Sequence, residues 1–458
     1  MPIRALNTAR AQLGHLKTPA EKEPATKTAD VSDQRERTPQ HAPQTALPRT
    51  SSPPTILTIN SGSSSLKLGL YRADDGNPTH EPQLLYRGAT DNIGKPGGSL
   101  TVTAAAGKTI RHEDASHESQ SSAFTHAAQV LQQFSGTSPD AIGHRIVHGG
   151  PHLREHCRIT PQVLDTLRGA VHFAPLHIPP ALALIDAASK LYPQAPAFAC
   201  FDTAFHTTMP PEAFTYAIPA RFREQGVQRY GFHGLSYESI VAALAPKVPS
   251  RLVVAHLGNG ASLCAIANSR SVDTSMGLTP TGGIPMGTRS GDLDPGVVLF
   301  LARTGNLNND ALESLLNHES GLAGLSSGPQ SGGGYTPGIS DMRELTAAAD
   351  RSSDQGSAAA SQAIAIFCRS IAKTVASYAA VLGGLDALVF TGGIGEHSAL
   401  VREAVCRRLA FLGIALDAEA NQRHSSVISQ QASSIAVQIL SADEDGRIAR
   451  HVDHLLAQ

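Results

Sequence analysis

Regular alternation of apolar and polar residues begins at Thr55. Ile56-Leu57-Thr58-Ile59 predicts a strand, Asn60 to Ser65 a turn of small residues, and Leu66-Lys67-Leu68-Gly69-Leu70-Tyr71 a second strand. The same unit returns late in the chain as Leu252-Val253-Val254-Ala255, a turn over 257–262, and Leu263-Cys264-Ala265-Ile266. Two halves that each open on strand, small-residue turn and strand predict two related α/β domains facing one another. A helix near Pro179 to Lys190, a strand Ala197 to Phe201 and a strand Ala387 to Thr391 continue the alternation of elements. The most apolar long stretch, roughly 358–382, contains Arg369 and Lys373. It falls short of an uninterrupted membrane span and predicts a buried amphipathic helix ending at Gly383-Gly384.

Before Thr55 the pattern is absent. Residues 1–53 are rich in Pro, Thr, Ala, Gln and charge, and predict a disordered extension. The first 18 residues lack acids and carry Arg4, Arg10 and Lys17, a faint echo of an organellar transit peptide; acids begin at Glu21. Composition changes the picture little. At 458 residues, 41% apolar and 17% charged, the chain can bury a large core. A net charge of −2 gives no ground for a nucleic-acid or acidic-membrane partner, so individual cations must do any anion binding. Five cysteines without a C-x-x-C pair predict reduced thiols and a cytoplasmic protein.

Phosphate-binding turns need small residues and free backbone N–H groups. Three segments qualify: Asn60–Ser65 with Lys67 just beyond, Gly258–Ser262 with Asn259, and Gly392-Gly393-Ile394-Gly395-Glu396 between an apolar strand and a helix. A glycine turn alone is ordinarily only a turn. A second group is cationic: Arg145 and His148, His177, Asp202 with His206, His233, and Arg289, most of them in Gly- or Pro-bearing segments after apolar strands. Strand ends build α/β sites, and phosphoryl transfer asks mainly for positive charge around the migrating group. The plain reading of any one of these is a hydrogen-bonded core histidine or a surface ion pair. Neither a Walker loop nor the protein-kinase signature set is present. Ser64-Ser65-Leu66-Lys67 fits S-x-x-K without its companion motifs, and His152-Leu153-Arg154-Glu155-His156 fits H-x-x-E-H, which requires a helix that Pro151 could start.

Together these segments resemble the acetate kinase family. The resemblance runs in order through 55–450 and rests on NSGSSSLK at 60–67, HRIVHGG at 144–150, FDTAFHTTMP at 201–210, RYGFHG at 229–234, HLGNGAS at 256–262, DTSMGLTP and MGTRSGDLDPG within 273–296, SDMREL at 340–345 and FTGGIGE at 390–396. It implies an α/β, actin-like fold of two ribonuclease-H-like domains with ATP in the interdomain cleft. The expected division is 54–204, completed by 445–458, and a nucleotide-binding domain over 205–444. It implies reversible transfer from ATP to acetate, giving ADP and acetyl phosphate, with Mg2+ or Mn2+, in a homodimer. By position, Asn60 and Glu444 would hold the metal, and Ser63, Ser65, Lys67 and His256, Leu257, Gly258, Asn259 and Gly260 the phosphates. Arg145 and Arg289 would bind carboxylate and phosphoryl group, His233 would hydrogen-bond the phosphoryl, and Asp202 would orient an arginine. Asp341, Met342, Arg343 and Gly393, Ile394, Gly395, Glu396 and His397 would hold adenosine; Val147, Leu176, Phe232 and Pro280, with His177, would form the acyl site.

The chain departs from the family pattern at Ile178, where Asn is common, at Leu235 and Tyr237 after His233, and at His397, where Asn is common. About ten extra Gly-, Ser- and Pro-rich residues near 327–338 predict a mobile loop on the adenine side, which leaves the phosphoryl donor (ATP, GTP or polyphosphate) open. A propionate or butyrate kinase is the alternative within the family. A nucleotide switch on the same fold is the alternative outside it, and Arg145, Asp202, His233 and Arg289 argue against that one.

Overall fold

The alternation at 55–72 becomes a hairpin, β1 (Thr55–Ser61) and β2 (Leu66–Arg72), with Asn60 opposite Lys67. The computed structural model describes residues 53–62, 64–73, 81–329, 335–351 and 355–458. The predicted N-terminal extension up to residue 52, Ser63 and residues 330–334 of the added loop therefore lie outside the described residues. The hairpin continues into β3 (Gln83–Asp91), β4 (Ser99–Ala104) and β5 (Thr109–Asp114), all antiparallel. On the other side of β1 come β6 (Ala141–Ile146) and β8 (Ala197–Phe201), both parallel, with the two-residue β7 (Cys157–Arg158) at the edge.

A second sheet repeats this plan. Strands β9 (Arg251–Leu257), β10 (Ala261–Ala267) and β11 (Arg270–Thr274) are antiparallel. After a small hairpin, β12 (Gly328–Pro329) with β13 (Tyr335–Thr336), the strands β14 (Ala387–Thr391) and β15 (Ala436–Ile439) join β9 in parallel. The order β3-β2-β1-β6-β8 thus matches β11-β10-β9-β14-β15 strand for strand and sense for sense. The predicted second glycine turn, 258–260, is the β9–β10 connection, the counterpart of the β1–β2 turn.

Both faces of the first sheet are covered. Leu57, Ile59, Leu68 and Leu70 pack against Phe124 and Leu131 of the helix Gln120–Ser135, each fully buried side chain worth about 1.5–3 kcal/mol. Ile56, Phe198 and Cys200 meet Ile448 and Val452 of the C-terminal helix Glu444–Leu456. That helix sits tightly because β6 carries Gly143. A Cβ there would lie 2.5 Å from the Ile448 side chain and 2.7 Å from that of Val452. The expected buried helix at 358–382 is the helix Gln355–Val381, whose Phe367, Ile371 and Val375 join the core of the second sheet with Leu263 and Phe390. All five cysteines are free thiols.

Two local readings change. Gly392–Glu396, expected as a turn before a helix, is itself the short helix Gly392–His397. The H-x-x-E-H segment does not lie on a helix: from Pro151 the chain turns and runs extended into β7, so its two histidines do not share a helical face.

Candidate active site

The carboxyl ends of β1, β6 and β8 converge. Near them stand Asn60, Arg145 and, one residue past β8, Asp202. Arg145 forks onto Asp202: Nε donates to both carboxylate oxygens at 3.0 Å and Nη2 to Oδ2 at 2.6 Å. Its remaining nitrogen, Nη1, donates to Asn60 Oδ1 at 3.0 Å. Burial works against the Arg145 charge, but Asp202 and Glu444 outweigh it and raise its pKa. Burial also pushes the Asp202 carboxyl upward, against the pull of Arg145. Charge-assisted bidentate bonding of this kind fixes the guanidinium plane.

The Asn60 amide donates from Nδ2 to Glu444 Oε2 and to Asp445 Oδ1, both at 3.0 Å. Asn60, expected as a metal ligand, accepts from Arg145 through its oxygen and holds two carboxylates side by side through its amide. Burial opposes ionisation of Glu444, yet Arg145 and His256 hold its pKa down; Asp445, buried next to Glu444, is pushed up. A half-buried and a buried carboxylate side by side suit a hard divalent cation. Asp445 was not singled out in the sequence. The acidic run Asp443-Glu444-Asp445 at a helix start was the available signal. Lys67 is solvent-exposed, and its charge contributes to lowering the pKa values of Glu444 and His256. Ser65 is half-buried beside it in sequence.

The second sheet contributes the opposing wall. His233 precedes the helix Gly234–Leu244 in a left-handed conformation, φ 58 and ψ 25. Gly234 permits this entry: its N–H donates to Asp202 O at 2.8 Å, and a Cβ would stand 2.2 Å from that oxygen. His233 Nδ1 bonds Ser262 Oγ at 2.8 Å, and Ser262 in turn bonds the Tyr237 hydroxyl. A relay in which Tyr237 donates to Ser262 and Ser262 to Nδ1 is the arrangement that leaves the imidazole proton on Nε2. Burial, then the neighbouring His256, Arg145 and Arg289, hold His233 well below the usual histidine range, so it is a neutral donor at pH 7. Its ring stacks on His256 with centroids 4.2 Å apart.

Arg289 completes the ring. Nη1 donates to Pro280 O at 3.2 Å, and burial, followed by Arg145, lowers its pKa. A Cβ on Gly260 would lie 3.5 Å from both Arg289 Nη1 and His233 Nε2. Both groups therefore face the space above that glycine, which stays open because Gly260 has no side chain. His177 is depressed to about 4, through burial and then through Arg289 and Arg145, which places it at the same cationic centre. His148 and His206 are core histidines. His148 bonds Gly150 N and Leu278 O among aromatic rings; His206 bonds Ser271 and Phe232 O.

Leu176, His177 and Pro280 line a cavity of about 300 Å3 with Phe173, Leu312 and Leu316. Val147 is half-buried, and Phe232 is buried with its ring 5.4 Å from that of His148. Leu257 and Met342, expected at the nucleotide, turn their side chains into the core, which leaves their backbone groups for that role. Gly258 and Asn259 lie in the connection before β10, beside Gly260. Asp341 caps the helix Met342–Ala349 through the Arg343 and Glu344 N–H groups and pairs with the exposed Arg343 at 2.8 Å. In the helix Gly392–His397, Ile394 packs on the core and Gly395 is buried, while Gly393 and His397 are exposed. The Glu396 carboxylate accepts from Gly392 N at 3.0 Å and bonds the Ser441 hydroxyl.

The model of the acetokinase family matches residues 55–450. The chain is 42% identical over 413 residues to an acetate kinase of Rhodopseudomonas palustris, covering 87% of this chain and 97% of that one. It is 39% identical over 414 residues to a propionate kinase of Citrobacter rodentium, covering 87% and 96%. Among solved structures, the acetate kinase of Porphyromonas gingivalis superposes with a TM-score of 0.74 at 35% identity, over 88% of this chain and 100% of that one. A propionate kinase of Francisella tularensis gives 0.76 at 34% identity, over 87% and 98%.

Proposed function

We propose that this chain, which belongs to the acetokinase family, reversibly transfers the γ-phosphoryl group of ATP to the carboxylate of acetate, giving acetyl phosphate and ADP. The observation that carries the reading is the pair of guanidinium groups at the strand ends. Arg145 is fixed by Asp202, and Arg289 faces the same open space as the Nε2 of His233. Anions drawn there are an acyl carboxylate and a phosphoryl group.

An acetate oxygen forms a bond to the γ-phosphorus as the bond from phosphorus to the bridging oxygen of ADP breaks. No base is needed, because a carboxylic acid is already ionised at neutral pH. Arg145 and Arg289 offset the repulsion between the two anions, and His233 donates its Nε2 proton as a hydrogen bond to an equatorial phosphoryl oxygen. Asp202 acts through Arg145 by holding its plane. Asn60 and Glu444, with Asp445 beside them, would hold Mg2+, or Mn2+ in its place, which would supply charge neutralisation on the nucleotide phosphates. The 256–260 turn and Lys67 face those phosphates; Asp341, Arg343 and the 392–397 helix receive adenosine. Val147, Leu176, Phe232 and Pro280 receive the acyl group.

A second substrate, propionate, is favoured by the cavity of about 300 Å3 beside Leu176 and Pro280. One added methylene changes the binding energy of an apolar pocket only modestly, by about 1–3 kcal/mol. A second copy of this chain would cover the helix Pro295–Thr304, which has no buried residue and exposes Val297, Leu299 and Phe300.

Trapping with hydroxylamine tests the reading. Protein, ATP, Mg2+ and acetate should give acetyl hydroxamate in step with ADP, and propionate a smaller amount. ADP release that does not depend on a carboxylic acid would contradict it.

A further inference from the structure

The largest side chain with no solvent exposure in the described residues is a charged one, Arg402. It lies on the helix Ala399–Arg408, and all five of its N–H donors are taken. Nε donates to Asn421 Oδ1 at 2.8 Å. Nη1 donates to Gly395 O at 2.8 Å and Glu396 O at 2.9 Å. Nη2 donates to Asn421 O at 2.8 Å and His424 Nδ1 at 2.9 Å. None of the acceptors is a carboxylate. A guanidinium buried without a carboxylate partner is costly, and an apolar side chain of the same length would fill the space at less cost. Burial pulls its pKa down only to about 10, so the charge persists at neutral pH.

The acceptors explain its presence. Gly395 O and Glu396 O lie in the last turn of the helix Gly392–His397, where backbone carbonyls lack helical partners. The exposed face of that helix begins at Gly393, where an added Cβ would meet nothing within 4 Å. At the opposite end, Glu396 ties Gly392 N to Ser441. The short helix is therefore held from both ends, by Arg402 through its backbone and by Ser441 through its one acid. Asn421 and His424 anchor the guanidinium from behind, and the His424 ring stands 6.2 Å from that of His397.

We propose that Arg402 is the positioning residue of the nucleotide subsite: it pins the Gly395 and Glu396 carbonyls, so that the Gly393 face is presented to the adenosine of ATP or ADP in one fixed place. This rests on the reading of 392–397 as the adenosine-binding segment. Sequence reasoning missed Arg402, because a lone arginine six residues past a glycine motif reads as a surface charge.

The test compares Arg402→Lys, His424→Gly and Gly393→Leu with the wild type, using KM for ATP, KM for acetate and calorimetric ADP binding. Lysine cannot reproduce the fork, so Arg402→Lys should weaken ADP binding and raise the KM for ATP about tenfold or more, with the acetate KM within about twofold. His424 is exposed at φ 53, a conformation glycine adopts freely. His424→Gly therefore removes one bond without strain, and ADP binding should weaken by about two- to fivefold. Unaltered ADP binding in either folded variant overturns the proposal, as does an equal rise in both KM values. If Arg402→Lys does not fold, His424→Gly decides alone by the same criterion. Gly393→Leu fills the open face; if it leaves ADP binding intact, the adenosine reading of the segment fails, independently of Arg402.

Discussion

Arg289 spends its charge where only an anion can repay it. Among the described residues its neighbours at the site are a carbonyl, a thioether, His177, His233 and Arg145, and none is a carboxylate. A group in that position stabilises the transition state more than the resting enzyme. Arg289→Ala should therefore lower kcat by about 10²- to 10³-fold, as loss of a preorganised donor does, while leaving the thermal midpoint nearly unchanged. Steady-state rates beside a melting curve check this; near-native turnover would remove Arg289 from the site. At this scale the sequence was informative where chemistry and local context coincide. Arg145 and His233 are reactive residue types in Gly-bearing segments, and Asp202 directly follows an apolar strand. It was silent where a role depends on a distant neighbour. Asp445 meets Asn60 across 385 positions, and Ser262 bonds His233 across 29.

Elements deliver these side chains through close backbone approaches. The helix Gly234–Leu244 begins on the Asp202 carbonyl, so His233 and Asp202 are positioned by one contact. That helix is tied to the C-terminal helix by Glu238, which bonds Arg447 at 2.9 Å and His451 at 2.8 Å. Arg447 and His451 extend from the same helix that starts with Glu444. Gly234→Ala would place a methyl 2.2 Å from the Asp202 carbonyl oxygen. The expected outcome is a loss of about 1–3 kcal/mol in stability, with a fall in kcat beyond what unfolding explains. Denaturant melts and rates on the folded fraction separate the two; unchanged kcat would mean that the contact is merely structural. The strand–turn–strand units were legible as elements because period-two alternation is local. The short helix at 392–397 was read as a turn because four of its first five residues are not strong helix formers, three of them glycine, and tertiary bonds from Arg402 and Glu396 hold it instead.

At the scale of the whole molecule, burial of histidine sets the acid limit. His144, His148 and His206 are all at least 98% buried, and burial depresses them to about 3, 4 and 4. Each is neutral when folded but takes up a proton near pH 6.5 when unfolded. Stability is thus complete above about pH 6.5 and falls as pH drops toward 4, by up to about 1.4 kcal/mol per pH unit for each histidine. Melting temperatures between pH 7.5 and 4.5 should decline from about pH 6.5; a flat profile down to pH 5 would contradict the assigned protonation states. Of the repeated sheet plan, the two opening hairpins and the strands β8 and β14 were visible in sequence, but not their pairing. The parallel partners β6, β8, β14 and β15 join through crossovers that leave no periodic trace.

The most direct test of the central claim follows the oxygen. Protein, ATP and Mg2+ are incubated with acetate labelled with 18O in both carboxyl oxygens, and the product is read by 31P NMR. Phosphoryl transfer to the carboxylate places one label in the bridge between carbonyl carbon and phosphorus. The acetyl phosphate resonance should therefore show the isotope shift of a single bound 18O, growing in step with ADP. Formation of ADP and unlabelled inorganic phosphate alone would contradict it, because the acceptor at Arg145 and Arg289 would then be water.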